Sequence, residues 1–189
     1  MIPVSAFILI GGNSKRFGSP KWQAKIKDIS VLDIIWKTCE IFQSRYIIGK
    51  ESPDECQKPF LEDLLEIQAP INGLYTALSH SKTDWIFLIS CDLPLTNQTI
   101  LQELHDKNNH HADVIIPLIN KRAQVTCAFY HKRILSFVTH RISQKKYSLT
   151  DLVESINTQW INMDHYEIEF TNMNTRKDYE TIREILKAP

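Results

Sequence analysis

The sequence predicts an α/β fold of three layers, with a mostly parallel central sheet covered by helices on both faces. Three observations predict it. Short apolar runs alternate along the chain with capped, amphipathic segments, as in repeated βα units. The run Trp85–Ser90, "WIFLIS", is almost wholly apolar, the mark of a strand buried on both sides. A chain of 189 residues, 43% hydrophobic and 23% charged, is sufficient for a sizeable core.

The elements follow in order. Val4–Ile10 is the first strand, and it stops at Gly11-Gly12. Ser30 and Asp33 have the spacing of a capping box, and Leu32, Ile35, Trp36, Cys39 and Phe42 recur behind them at helical spacing. Tyr46–Ile48 is a second strand, and "SPDECQKPF" is turn-like with room for a short helix. Ala69-Pro70-Ile71-Asn72-Gly73 is a loop ahead of a helix near Leu74–Ser79. Trp85–Ser90 ends in Cys91-Asp92-Leu93-Pro94, and Asn97 caps a helix through Leu104. Val114–Ile116 and Val125–Tyr130 are strands on either side of the polar turn Asn120-Lys121-Arg122. Helices are expected around Ile134–Thr139 and from Ser148, which pairs with Asp151 as a cap. A last strand near Ile168–Phe170 leads to "TNMNT". Thr175 and Asp178 then cap a C-terminal helix with Tyr179, Ile182, Ile185 and Leu186 on one face.

Composition excludes some classes of function. Lys+Arg and Asp+Glu both number 22, so there is no global charge to draw nucleic acid or an anionic membrane, and any anion site is local. Cys39, Cys56, Cys91 and Cys127 are spread out with no CxxC pair, which predicts reduced thiols in a cytoplasmic protein and neither a disulfide frame nor a zinc site. No charged leader precedes the first apolar run, which is too short to span a bilayer.

Parallel sheets bind ligands beyond the carboxyl ends of their strands, so the residues there carry the chemistry. The first strand runs into Gly11-Gly12-Asn13-Ser14-Lys15-Arg16-Phe17-Gly18. This is not the GxGxxG of dinucleotide sites. It is not a Walker A loop either, because Ser19-Pro20 separates Gly18 from Lys21. An ordinary βα turn and a phosphate cradle both fit the glycines, and Arg16 and Lys21 favour the cradle. Asp92 is placed equally well to hold Mg²⁺ or to shape a turn. Asn172 and Asn174 suit a metal shell, a substrate hydrogen bond or a plain turn. Cys91 reads as a buried filler rather than a nucleophile, since no histidine is near it in sequence. His105, His110 and His111 read as a solvated loop, and Trp22, Trp36 and Tyr75 as packing residues.

In combination these segments resemble a family. "LIGGNSKRFGSPK" resembles the LAGGxSxRMGxxK signature of nucleotidyltransferases, and in particular of the molybdenum cofactor guanylyltransferases (MobA-like proteins). "APING" resembles that family's GPLAG loop and "CDLP" its CDxP metal site. "AQVTCAFY" sits where the family has a segment such as HPLxALY, and "FTNMNT" with Asp178 resembles its FxNxNTPxD ending. The resemblance spans nearly the whole chain. It implies a three-layer Rossmann-like fold of the glycosyltransferase-A-like type. It also implies one domain over residues 1–189, with 1–105 as the nucleotide-binding half and 106–189 as the acceptor-binding half.

The implied activity is Mg²⁺-dependent transfer of GMP from GTP to the terminal phosphate of molybdenum-molybdopterin, releasing pyrophosphate. The implied catalytic residues are Arg16, Lys21 and Asp92. Leu9, Ile10, Gly11, Gly12, Lys21, Asp63, Gly73 and Asp92 would bind the nucleotide, with Asp63 reading guanine. Asp92 and Asn174 would hold the metal. The implied partners are GTP and molybdopterin, with transient contacts to molybdopterin-inserting proteins and apo-molybdoenzymes, for a monomer or weak oligomer. Departures from the pattern are Ile10 for alanine, Pro20 before Lys21, Gly49 for a base-contacting asparagine, Ala69 and Asn72 within GPLAG, and Gln124-Val125. A cytidylyl or sugar-nucleotide transferase on the same fold, and a non-catalytic carrier of the cofactor, are the alternatives.

Overall fold

The computed structural model describes residues 1–11, 17–52, 57–108 and 111–187. Strand β1 (Ile2–Leu9) is followed by a small hairpin, β2 (Lys25–Ile26) and β3 (Ile29–Ser30). Lys27 and Asp28 turn that hairpin at φ 49° and 64°, the left-handed pair a two-residue hairpin needs. Helix α1 (Val31–Thr38) starts where the spacing predicts, with Asp33 N donating to Ser30 Oγ at 3.0 Å. It then tightens into a 3₁₀ turn at Cys39–Ile41. Phe42, expected on the helix face, instead opens β4 (Phe42–Gly49). Its ring stacks on Phe87 at 4.8 Å in the core, which fixes it on the strand.

A short β5 (Phe60–Glu62) precedes α2 (Pro70–His80). The expected loop at 69–73 is therefore the first turn of this helix. Pro70 occupies a first-turn position, where its missing N–H has no helical partner to lose. Strand β6 (Trp85–Ser90) matches the expected run, and Asn97 Oδ1 accepts from Ile100 N to cap α3 (Gln98–Asp106). The second half contains β7 (Val114–Ile119), β8 (Arg122–Ala123), β9 (Cys127–His131), α4 (Leu135–Ser143) and α5 (Leu149–Glu154). It closes with β10 (Thr158–Asn162) and α6 (Arg176–Lys187). The strand expected at Ile168–Phe170 does not form. A 3₁₀ turn occupies Asp164–Tyr166, Ile168 is 59% exposed, and the strand is the polar edge segment β10.

The main sheet has the order β10-β7-β9-β6-β1-β4-β5, with β8 paired to β7. β1 is parallel to β4 and β6, β4 to β5, and β7 to β10; β9 runs antiparallel between β6 and β7. The run "WIFLIS" is apolar throughout because both of its faces are covered. Phe87 and Ile89 pack with Leu32 and Ile35 of α1 and Leu101 of α3, while Ile86 and Leu88 pack with Leu74 of α2, Val138 of α4 and Leu152 of α5. Helix α6 lays Tyr179 and Ile182 against Phe17, Val31 and Met173 beside the opening loop. Among the described residues no helix is long and apolar enough to cross a membrane.

Candidate active site

A cavity of about 1040 Å³ opens beyond the carboxyl ends of β1 and β4, and Leu9, Ile10, Gly11, Gly49, Asp63 and Gly73 line it. The backbone just past β1 is fixed on both sides: Ile10 N donates to Ile48 O at 3.0 Å, and Cys91 N donates to Leu9 O at 3.0 Å. Two glycines make room for the side chains that follow. A Cβ on Gly73 would stand 2.4 Å from Leu9 Cδ2, and one on Gly49 would stand 2.9 Å from Ile10 Cγ1. Ile10 and Gly49 are thus a size-matched pair, which connects two departures from the family pattern that look unrelated in the sequence.

Asp63 hangs at the end of β5, its N–H donating to Gly49 O at 2.9 Å. Its Oδ1 is buried and has no hydrogen-bond partner. Desolvation holds the carboxyl above the usual range, an effect that the charge of Lys50 partly offsets. A buried acceptor left open in a cavity wall is suited to N–H donors of a ligand. Asn72, 1% exposed, secures the neighbouring backbone. Its Oδ1 accepts from Leu65 N (3.2 Å), and its Nδ2 donates to Leu65 O and to Ile67 O (3.2 Å). Leu64 N donates to Thr76 Oγ1 at 3.1 Å.

A second cluster sits beside the part of the wall made by Pro20, Trp22 and Ser90. Lys21 opens a 3₁₀ turn whose Trp22 lines the cavity, and its Nζ donates to Asn174 Oδ1 at 2.7 Å. Met173 N donates to Asp92 O at 2.8 Å, so the loop after residue 170 bridges Lys21 and Asp92. Asp92 leaves its Oδ1 buried without a partner. Asp178 locks the bridging loop through bonds from Asn174 N (3.0 Å) and Thr175 N (2.7 Å), while its own N–H donates to Thr175 Oγ1 (3.2 Å). Burial pushes the Asp178 carboxyl up, but those bonds and the charge of Lys21 outweigh it and hold it below the usual range. Cys91 is buried, and desolvation first, then the charge of Asp92, push its thiol up to about 12.

The residues named from sequence therefore fall into a cavity group (Leu9, Ile10, Gly11, Asp63, Gly73) and a second group joined through the 172–175 loop (Lys21, Asp92, Asn174). Gly12 and Arg16 lie outside the described residues, as do Cys56 and His110. Asn174, named as a metal ligand, has its carbonyl oxygen engaged by Lys21. Among the described residues no group of three or more His, Cys, Asp or Glu gathers as a metal cage. Lys50, Trp22 and Thr126 also line the cavity and were not singled out as site residues. Trp22 had a signal, as the residue directly after Lys21. Lys50 and Thr126 depend on strand register, which no local pattern reveals.

A mostly parallel sheet, a glycine-ended first strand and a cavity beyond the strand ends are the build of a nucleotide-handling α/β protein. Residues 6–159 match the family model of the MobA-like NTP transferase domain, and the chain belongs to that family of nucleotidyltransferases. A protein of Aquifex aeolicus named probable molybdenum cofactor guanylyltransferase is 32% identical over 184 residues, 94% of this chain and 89% of that one. One of the same name from Flavobacterium johnsoniae is 29% identical over 180 residues, 93% and 94% of the two chains. In fold, the chain resembles the crystal structure of molybdopterin-guanine dinucleotide biosynthesis protein A from Archaeoglobus fulgidus, with a TM-score of 0.85 at 19% identity, covering 97% and 99% of the two chains.

Proposed function

We propose that this protein transfers GMP from GTP to the terminal phosphate of molybdenum-molybdopterin in the cytoplasm, forming a guanine dinucleotide cofactor and releasing pyrophosphate. One observation carries the reading: the 172–175 loop ties Lys21 to the backbone of Asp92, whose buried Oδ1 is open, beside a cavity whose wall holds an unpartnered Asp63 oxygen. The base would enter the cavity against Leu9 and Ile10, with its triphosphate leaving past Gly11 toward Lys21.

The reaction is an in-line displacement. A phosphate oxygen of the acceptor forms a bond to the α-phosphorus as the bond to the bridging oxygen breaks, and that oxygen leaves with pyrophosphate. No protein nucleophile takes part: a thiol raised to about 12, as in Cys91, is ionised to only about one part in 10⁵ at neutral pH. The work of the chain is to position the reactants and neutralise charge. Lys21, held by the neutral amide oxygen of Asn174 and not by a carboxylate, would meet the departing phosphates. Asp178 orients Asn174 through the backbone. The buried open oxygen of Asp92 fits Mg²⁺, which takes one or two carboxylates and completes its shell with phosphate oxygens and water. When bound there, the ion supplies charge neutralisation at the phosphates. Residues 1–105 would serve the nucleotide and 106–189 the acceptor.

Pyrophosphate release from GTP, CTP and UTP, each with Mg²⁺ and molybdenum-molybdopterin, tests the proposal. The expected result is release with GTP that depends on the acceptor. A preference for CTP would move the protein to the cytidylyl class, and nucleotide binding without release would make it a carrier.

A further inference from the structure

We propose that Lys50 donates to the oxo group of the bound base, completing with Asp63 a donor–acceptor pair complementary to the edge of guanine. The inference rests on reading the cavity as the nucleotide site.

Guanine presents a 6-oxo acceptor, an N1–H donor and a 2-amino donor in a row. An ionised Asp offers only acceptors and a Lys only donors, so two acceptor oxygens beside one ammonium match that row. The register Gly49↔Glu62 and the Asp63 N–H bond to Gly49 O (2.9 Å) set Lys50 and Asp63 at the ends of adjacent strands. Paired strands run roughly 4.8 Å apart, so both side chains reach the same part of the cavity they line. Among the described residues they form no ion pair with each other or with any other group, and Asp63 Oδ1 stays open. The charge of Lys50 is nonetheless felt at the Asp63 carboxyl.

The floor between them is apolar. Gly49 has no side chain, and Ile10 covers the place where one would stand, within 2.9 Å of its Cβ position. Among the described residues that line the cavity, Lys50 is the one Lys or Arg, and it stands beside Asp63. Adenine and cytosine place an amino group where guanine has its oxo group, so each would set donor against donor.

The test is binding by calorimetry to the full chain, using GTP, inosine triphosphate, and 2-aminopurine riboside triphosphate, which lacks the 6-oxo group. In Lys50→Met, GTP and inosine triphosphate should bind roughly 10- to 100-fold more weakly, while the 2-aminopurine nucleotide should change by no more than about twofold. Lys50→Arg should retain most of the GTP affinity. Lys50 is exposed, so the variant should fold normally, its ligand-free melting temperature lowered only by the lost attraction for the Asp63 carboxylate. Equal weakening of all three nucleotides would reduce Lys50 to a distant attraction for phosphate and overturn the assignment. So would unchanged GTP binding in Lys50→Met, or loss of the preference on replacing Gln68, another polar residue lining the cavity, by alanine (Gln68→Ala) instead. If the wild-type chain prefers GTP and Lys50→Met matches it, only this assignment falls; if the wild-type chain prefers CTP, the guanine reading falls with it.

Discussion

Gly73→Ala puts two opposed effects in one substitution. Gly73 lies in the first half of α2, where alanine is worth about 1 kcal/mol more than glycine in helix propensity. Its new Cβ would sit 2.4 Å from Leu9 Cδ2, closer than an ordinary carbon contact of 3.5–4.0 Å by about 1.1–1.6 Å. Overpacking of that kind costs about 1–3 kcal/mol. The net effect is a loss centred near 1 kcal/mol, a fall of roughly 2–4 °C in melting temperature for a chain of this size. Leu9→Ala alone should cost about 2–5 kcal/mol. It also removes the three atoms nearest to that Cβ, so in that background Gly73→Ala should raise the melting temperature by about the same 2–4 °C. Thermal unfolding of the four proteins measures this. A shift of the same sign in both backgrounds would refute the account of why glycine stands at this position.

Three other outcomes are expected. Asp92→Ala should lower turnover by a factor on the order of 10²–10³ in the pyrophosphate assay with an unchanged circular dichroism spectrum; near-normal turnover would remove Asp92 from the chemistry. Asn72→Ala should cost about 1–3 kcal/mol in denaturant unfolding, because the Leu65 N–H and the Leu65 and Ile67 carbonyls lose their partner. It should weaken nucleotide binding as well, through the segment that carries Asp63. Asp63→Asn should raise the melting temperature of the ligand-free protein at pH 7 yet weaken GTP binding. The sign follows from the raised carboxyl: the folded state holds the proton more tightly than the unfolded chain does, so ionisation above the unfolded value near 3.8 opposes folding. At pH 3, where both states are protonated, that gain should vanish. Asp178 runs the other way; its depressed carboxyl supports folding above that value, and the support is lost as pH falls further.

The sequence made the framework legible wherever a short-range rule governs. Ser30, Asn97 and Ser148 cap helices as their spacing predicts, and "WIFLIS" spans β6 residue for residue. It misled where a long-range contact overrides the local pattern. Phe42 keeps helical spacing with Cys39 but is drawn onto β4 by Phe87. The alternating residues of "EIEF" look like a strand, while the real strand there, the polar "TQWIN", lies at the edge of the sheet with no outer neighbour among the described residues. Asn72 looked like a loop residue because asparagine favours turns, yet it is buried in α2 and bonded to backbone five to seven positions earlier. At the site, the residues at strand ends were legible from the glycines and the acid that follow apolar runs. The pairing of Ile10 with Gly49 was not, because it joins positions 10 and 49 across neighbouring strands.

The bond from Lys21 to Asn174 joins positions 153 residues apart. On a ribosome that adds about 5–20 residues per second, Lys21 waits roughly 8–30 seconds for its partner to be synthesised. The pocket walls built from β1, β4 and α2 can form long before then. A nascent chain can therefore acquire a place for the base while still lacking the latch at the phosphate end, and it becomes competent only once Asn174 has been added.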